Sequence, residues 1–221
     1  MALSKAGLVD VVAITGETAL AATPASTDEL LINDGGTIKR IDYTHIQSNL
    51  VKINRFTASN ASSIDCTSVF SSTYEHYKAT MRLTPANDNL HLRLRFFDSG
   101  GTVIDQDEYD WMGHVNTSPG SGTEGASASV SFVDLRLGAG SLAFSNVTAE
   151  HASFDMWFDS PNLSSAYTHM GWQMVGTAAD SDGMSCTGGA VHFSAEAVSG
   201  FKIEAESGNL DGEVAVFGYK I

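Results

Sequence analysis

The chain has 221 residues, and its 12 Lys and Arg against 26 Asp and Glu give a net charge of −14 at pH 7. This length fits one sizeable domain with an appendage, or two small domains. The acidic balance argues against nucleic acid as a partner, because binding to phosphates relies on basic side chains, and equally against anionic membrane surfaces.

The N-terminus does not have the pattern of a secretory signal peptide. Lys5 is the only positive charge near it, and Asp10 interrupts the apolar run. No stretch approaches the ~18 consecutive apolar residues of a membrane-spanning helix. We therefore expect a protein that is made in a cytoplasm, stays soluble and does not insert into a membrane.

Residues 1–50 are predicted to form an anchoring arm. Short apolar runs flank Asn-Asp-Gly-Gly at 33–36, and Asp-Gly and Gly-Gly pairs supply the positive φ angles of tight hairpin turns. Asp42 is placed to cap a short helix over Tyr43 to Leu50. A hairpin and one short helix bury little apolar surface, so we expect the arm to become ordered against another chain or body.

Residues 51–221 alternate apolar and polar side chains with a period of two, which is typical of half-buried strands. About ten short strands separated by Gly, Ser, Asn and Asp predict an all-β, antiparallel β-sandwich, and we favour a jelly roll. The strands are placed at 64–70, 77–83, 90–96, 102–111, 129–137, 141–148, 153–158, 169–176, 187–194, 200–206 and 212–220, with long connections at 112–128, 159–168 and 177–186. Four aromatic residues that alternate with polar neighbours are interpreted as core: Phe154, Trp157, Phe158 and Trp172.

Patterns of catalytic sites are absent or out of context. Residues 120–125 spell G-x-G-x-x-G, but they lie in a Ser- and Gly-rich loop rather than between a strand and a helix, so we reject a dinucleotide site. The seven histidines are scattered without the spacing of metal ligands. Cys66 and Cys186 show no metal spacing either; they are interpreted as two semi-buried thiols that could still pair across the fold. We expect no cofactor, no metal and no enzymatic activity.

The acidic, aromatic segment 105–111 leads into the longest predicted loop. In a strand, two of its carboxylates would share a face with Tyr109 and Trp111. Rings beside carboxylates suit a sugar site, and a carboxylate pair could in principle hydrolyse a glycoside. The alternative is a half-buried strand with its rings packed inward. We take Asp110, Trp111 and His114 as the candidate ligand-binding residues, because long loops carry function on rigid sandwiches.

Three stretches of the chain carry a resemblance to a known group of proteins. Residues 31–43, preceded by 18–24, resemble a segment that recurs in tail-fibre and related virion proteins of tailed phages. Residues 70–96 are similar to the opening of the C-terminal β-sandwich of those proteins. Residues 212–221 resemble its glycine-containing last strand.

The resemblance implies a homotrimer on the virion, with an N-terminal arm that docks on other virion proteins and a distal domain that can bind a host-surface polysaccharide. It transfers no functional residue, because the binding loops of these proteins have no fixed motif. Two functions fit. One is a tail-fibre or receptor-binding component; the other is a capsid decoration or cement protein, or head fibre, that stabilises the particle. The second stays in contention because the chain is short for a whole fibre. A glycan hydrolase is a third.

Overall fold

The computed structural model describes residues 25, 28–42, 49–87, 90–118, 120, 122–135, 144–147, 150–178 and 182–219. Every regular element in these residues is a β-strand, and no described helix has the length and hydropathy of a membrane span. The chain divides into two units, residues 1–48 and 49–221. The strands are β1 Glu29–Asp34, β2 Thr37–Asp42, β3 Leu50–Ala61, β4 Ser63–Cys66, β5 His76–Pro85, β6 Leu92–Asp98, β7 Tyr109–Thr117, β8 Gly122–Val130, β9 Val133–Asp134, β10 Ala152–Asp159, β11 Thr168–Thr177, β12 Gly183–His192, β13 Val198–Ala205 and β14 Leu210–Tyr219.

The described part of the first unit is an antiparallel hairpin of β1 and β2. Its turn residues Gly35 and Gly36 have φ angles of 58° and 87°, which confirms the hairpin and turn predicted from Asn-Asp-Gly-Gly. The helix predicted over Tyr43 to Leu50 is not seen. Residues 43–48 lie outside the described residues, and Leu50 begins β3 because it pairs with Tyr219 of β14.

The second unit consists of two antiparallel sheets. Eight strands form the large sheet in the order β3-β14-β5-β10-β11-β12-β7-β8, and four form the small sheet in the order β4-β13-β6-β9. The sheets face each other across an aromatic core: Phe158 of the large sheet stacks on Phe201 of the small sheet with 5.0 Å between ring centroids. The all-β, sandwich-like architecture predicted from the sequence is therefore confirmed.

Period-two alternation builds this core. In β5, Tyr77, Met81 and the other odd-numbered residues are buried, as the sequence predicts. In β6 the apolar residues from Leu92 to Phe96 are likewise buried. The basic residues of β6 and His91 just before it pair with acids on or next to the neighbouring strands: Arg93 with Glu206, Arg95 with Glu204 and His91 with Asp134.

Several predicted strand bounds are wrong. The strand placed at 102–111 begins only at Tyr109, and Val103 before it makes an isolated bridge to Phe97. The connection placed at 112–128 is mostly the β7–β8 hairpin. Its residues are rich in Gly, Ala and Ser because β8 is an edge strand that contributes little to the core, so apolar alternation is weak there. In the described part of the strand placed at 141–148, Phe144 makes only isolated bridges, to Leu90 and Ala178.

Candidate functional site

The candidate ligand residues Asp110, Trp111 and His114 all lie on β7, but they do not share a face. Tyr109 and Val115 are buried, so the odd positions of β7 face the core and the even positions face outward. Trp111 accordingly packs against the core, and its indole Nε1 is buried without a hydrogen-bond partner. The structure therefore does not assemble the predicted three-residue site.

Asp110 lies on the outer face but is engaged in the fold. Its Oδ1 accepts a hydrogen bond of 2.8 Å from the backbone N–H of Ser129. Ser129 has a φ of 53°, and the pairing of β7 with β8 shifts register between Tyr109 and Trp111. Asp110 thus stabilises the irregular end of the hairpin, and His114 is the predicted residue that faces open space.

A groove of about 670 Å³ crosses the outer face of the large sheet beside His114. Strand pairing aligns two rows of residues along it. One row runs across β10, β11, β12, β7 and β8 through Trp157, Gly171, Gly189, Met112 and Ala126. The adjacent row runs across β11, β12, β7 and β8 through Gln173, Thr187, His114 and Glu124.

The depth of the groove comes from two glycines between two large side chains. Trp157 and Met112 are 49% and 66% exposed, respectively. Gly171 and Gly189 stand between them in the same row; the Trp157 indole covers Gly171, and no side chain lies over Gly189. The result is a floor of backbone bounded by an indole on one side and a thioether on the other.

The indole of Trp157 lies over Gly171. A methyl group added at Gly171 would lie 2.2 Å from Cζ2, 2.4 Å from Cε2 and 2.8 Å from Nε1 of Trp157. These separations are far below van der Waals contact, so the ring holds this position only because residue 171 is glycine. Half of the Trp157 side chain stays exposed, which makes it an apolar platform fixed on the sheet.

The polar row supplies hydrogen-bonding groups beside this platform. Gln173 offers an amide, Thr187 a hydroxyl and Glu124 a carboxylate. The Nδ1 of His114 lies 3.2 Å from Nδ2 of Asn116. Because the amide nitrogen donates, Nδ1 accepts and the ring proton is on Nε2, which is then a donor.

A second tryptophan supports the floor from below. Trp172 is fully buried on the core face of β11, opposite Gly188 of β12. A methyl group at Gly188 would lie 2.2 Å from Cζ2 of Trp172. The backbone of the floor therefore rests directly on the buried indole, which restricts its movement.

The assignment of Trp157 to the core was wrong, whereas Phe154, Phe158 and Trp172 are buried as predicted. The sequence did contain the signal. Phe154, Met156 and Phe158 occupy every second position of β10, so Trp157 must face the other side with Asp155.

A buried imidazole lies near two carboxylates where β7 begins and β12 ends. The Nε2 of His192 is 3.3 Å from Oε2 of Glu108 and 3.8 Å from Oε1 of Glu196. Burial lowers the pKa of His192, and the two carboxylates oppose that shift. Burial raises the pKa of the neighbouring Tyr109 phenol. Imidazole and carboxylate are metal ligands, so these are the described residues that can hold a metal ion.

No known protein family, no curated protein and no solved structure matches this chain.

Proposed function

We propose that this protein binds a saccharide in the groove between Trp157 and Met112, as the receptor-binding component of a phage virion. The observation that carries the binding proposal is the half-exposed indole of Trp157, held over Gly171 beside a row of hydrogen-bonding side chains. Ligand sites of this size class, ~300–1,000 Å³, combine an apolar wall with a few placed polar groups.

The groove offers both kinds of surface that a sugar needs, an apolar platform and hydrogen-bonding side chains. A pyranose ring presents C–H groups on its face and hydroxyl groups around its edge. The Trp157 ring offers an apolar surface for the face, while Gln173 and Thr187 both donate and accept hydrogen bonds at the edge. The described lining supplies one carboxylate, Glu124, whereas glycoside hydrolysis normally uses two. Binding is therefore the better-supported function.

The binding surface can extend beyond this groove along the outer face of the sheet. A second depression of about 380 Å³ on the same outer face shares Gln173 with the first and includes Thr80, Ser153, Asp155 and Val175. Neighbouring strands are ~4.8 Å apart, so the two depressions together cross most of the sheet. A polysaccharide chain could lie across the strands and contact both.

The phage setting is supported by the sequence resemblance at 18–43, 70–96 and 212–221. Within that setting we propose a tail-fibre or receptor-binding component at the virion surface, a homotrimer whose arm at 1–50 docks on other virion proteins. We also propose that the sandwich is a jelly roll. The chain passes from the large to the small sheet and back at β3–β4–β5, β5–β6–β7, β8–β9–β10 and β12–β13–β14, and repeated crossings between two sheets are typical of jelly rolls.

A capsid decoration protein or head fibre is the second candidate. Met112, Trp157 and Val175 expose apolar surface on the same outer face. Such a surface also suits a protein partner, for example a capsid subunit. Immunogold labelling of purified particles distinguishes the two settings, because a receptor-binding component should label the tail and a decoration protein the head.

Replacing Trp157 tests the binding site directly. A stacked ring contributes on the order of 1 kcal/mol, so Trp157→Ala should weaken binding to an immobilised bacterial surface polysaccharide about fivefold per site. The melting temperature should change little, because the ring is half exposed. Gly171→Ala should weaken binding as well, because the added methyl group displaces the indole.

Tyr167→Ala is the matched control. Tyr167 is 45% exposed, close to the 49% of Trp157, but it pairs with Phe193 away from the groove. The Tyr167→Ala variant should bind the polysaccharide as well as the unmodified protein does. The proposal fails if no polysaccharide or arrayed glycan is bound, or if Trp157→Ala and Tyr167→Ala bind equally well.

A further inference from the structure

His192 is a fully buried polar side chain that makes no hydrogen bond of good geometry. It is 0% exposed, and neither ring nitrogen makes a hydrogen bond to any described residue. Tyr109 and Phe96 pack against the ring, with centroids 5.0 Å and 5.7 Å away. A buried polar group without a hydrogen bond costs free energy, so a ligand that bonds to the ring would stabilise this site.

The backbone brings Glu108 to the same place. Tyr109 and His192 are register partners in the β7–β12 pair, and the N–H of Phe193 donates a 2.8 Å hydrogen bond to the carbonyl oxygen of Glu108. Glu108 is therefore fixed beside the end of β12. Glu196 follows His192 by four residues, in the connection to β13, so two separate connections converge on one imidazole.

The distances are compatible with a shared metal ion. The Nε2 of His192 is 3.3 Å from Glu108 Oε2, a contact that falls short of hydrogen-bond geometry, and 3.8 Å from Glu196 Oε1. All three ligand atoms lie within 4.8 Å of one another. Ligands bound tetrahedrally at ~2.0–2.1 Å from a zinc ion are ~3.3 Å apart, so small rotations of two half-exposed glutamates would complete the set.

We propose that Glu108, His192 and Glu196 form a binding site for a divalent first-row metal ion, with Zn²⁺ as the best fit. One imidazole and two carboxylates are ligands that Zn²⁺ accepts. The exposed side of the glutamates leaves a fourth position for water. The ion would tie the connection before β7 to the connection after β12 and so stabilise this end of the sandwich. This inference does not rest on the proposed saccharide function.

The test is metal binding by the full-length protein after treatment with EDTA. Isothermal titration with ZnCl₂ should give one site per chain, and CoCl₂ should produce visible d–d absorption from nitrogen and oxygen ligands. Zn²⁺ at about one hundred times its Kd should raise the melting temperature by roughly 5–10 °C. His192 is buried and its replacement could unfold the chain, so the test variants are Glu108→Gln and Glu196→Gln.

Each glutamine variant should weaken Zn²⁺ binding by about tenfold or more, since even outer-shell changes cost ~10–100-fold at metal sites. Glu206→Gln is the matched control, because Glu206 is as exposed as the two ligands but pairs with Arg93 at the other end of β13. It should bind Zn²⁺ normally. The inference is overturned if the stripped protein gives no saturable binding of Zn²⁺ or Co²⁺. It is equally overturned if both glutamine variants bind as tightly as Glu206→Gln.

Discussion

At the scale of single residues, the three tryptophans occupy three different environments. Trp172 is fully buried beneath the floor of the groove, Trp111 is partly buried against the core, and Trp157 is 49% exposed over Gly171. Indole is large enough to contribute to stability and binding alike, so residue type alone does not assign its role. The face of the strand decides whether an indole is buried, and it leaves Trp157 as the exposed tryptophan that we propose for binding.

Substitution of Trp111 should therefore affect stability and leave recognition unchanged. Trp111→Ala removes a ring that packs against the core, which should lower the free energy of unfolding by about 2–3 kcal/mol. Urea denaturation measures this loss, and polysaccharide binding below the transition should match that of the unmodified protein. Trp111→Phe, which retains an apolar ring, should lose less. If Trp111→Ala had normal stability but no longer bound the polysaccharide, Trp111 would belong to the binding site after all.

Because the cysteines are buried, we expect the free energy of unfolding to fall at alkaline pH. Both thiols are buried and free, and burial raises the pKa of Cys186 from 9.0 to about 11. The folded state therefore holds the thiol proton more tightly than the unfolded state does. Its stabilising contribution is complete below about pH 9 and is lost as the pH rises to about 11. The total effect of this group is on the order of 2 kcal/mol.

Urea midpoints measured from pH 8 to pH 11 check this prediction. The midpoint should fall over the upper part of the range, and it should fall less steeply for Cys186→Ala, which has no thiol to ionise at that position. Tyrosines titrate in both proteins, so the difference between the two curves isolates Cys186. Parallel curves would show that the thiol is not desolvated in the folded state.

At the scale of strands, the sequence predicted the elements that alternate large apolar and polar residues. The buried faces of β5 and β6 and the β1–β2 hairpin could be placed because side-chain period and turn chemistry determine them locally. The β7–β8 hairpin could not. Residues 122–130 are mostly glycine, alanine and serine, and these become a strand because the edge of an eight-stranded sheet offers them backbone partners.

The site depends on pairing between distant parts of the chain, which explains why only His114 was anticipated. Thr187 lies opposite His114, and Gln173 lies opposite Thr187, because β11, β12 and β7 pair in that order. Sequence periodicity gives the face of each residue but not its cross-strand neighbour. The same holds for His192, whose two carboxylates are contributed by Glu108 and by the connection to β13.

At the scale of the whole molecule, the sandwich presents two edge strands on its large sheet. Among the described strands, β3 and β8 each have a neighbour on one side only. β3 has 12 residues, which is long for an unprotected edge, and β8 is rich in small residues that permit close approach. Free edges invite pairing with further chains, and proteins normally cover or disrupt them. Closed rotational symmetry covers edges without producing open fibres.

The sequence resemblance implies a homotrimer, and the exposed edges give that oligomer a physical reason. We expect the full-length protein to have the mass of three chains of 23.4 kDa by light scattering at micromolar concentration. Three copies of the groove on one particle would also convert a weak saccharide contact into strong attachment, because binding at the second and third sites becomes intramolecular. A monomeric mass for the unmodified chain would contradict the trimer and would leave attachment dependent on the affinity of a single groove.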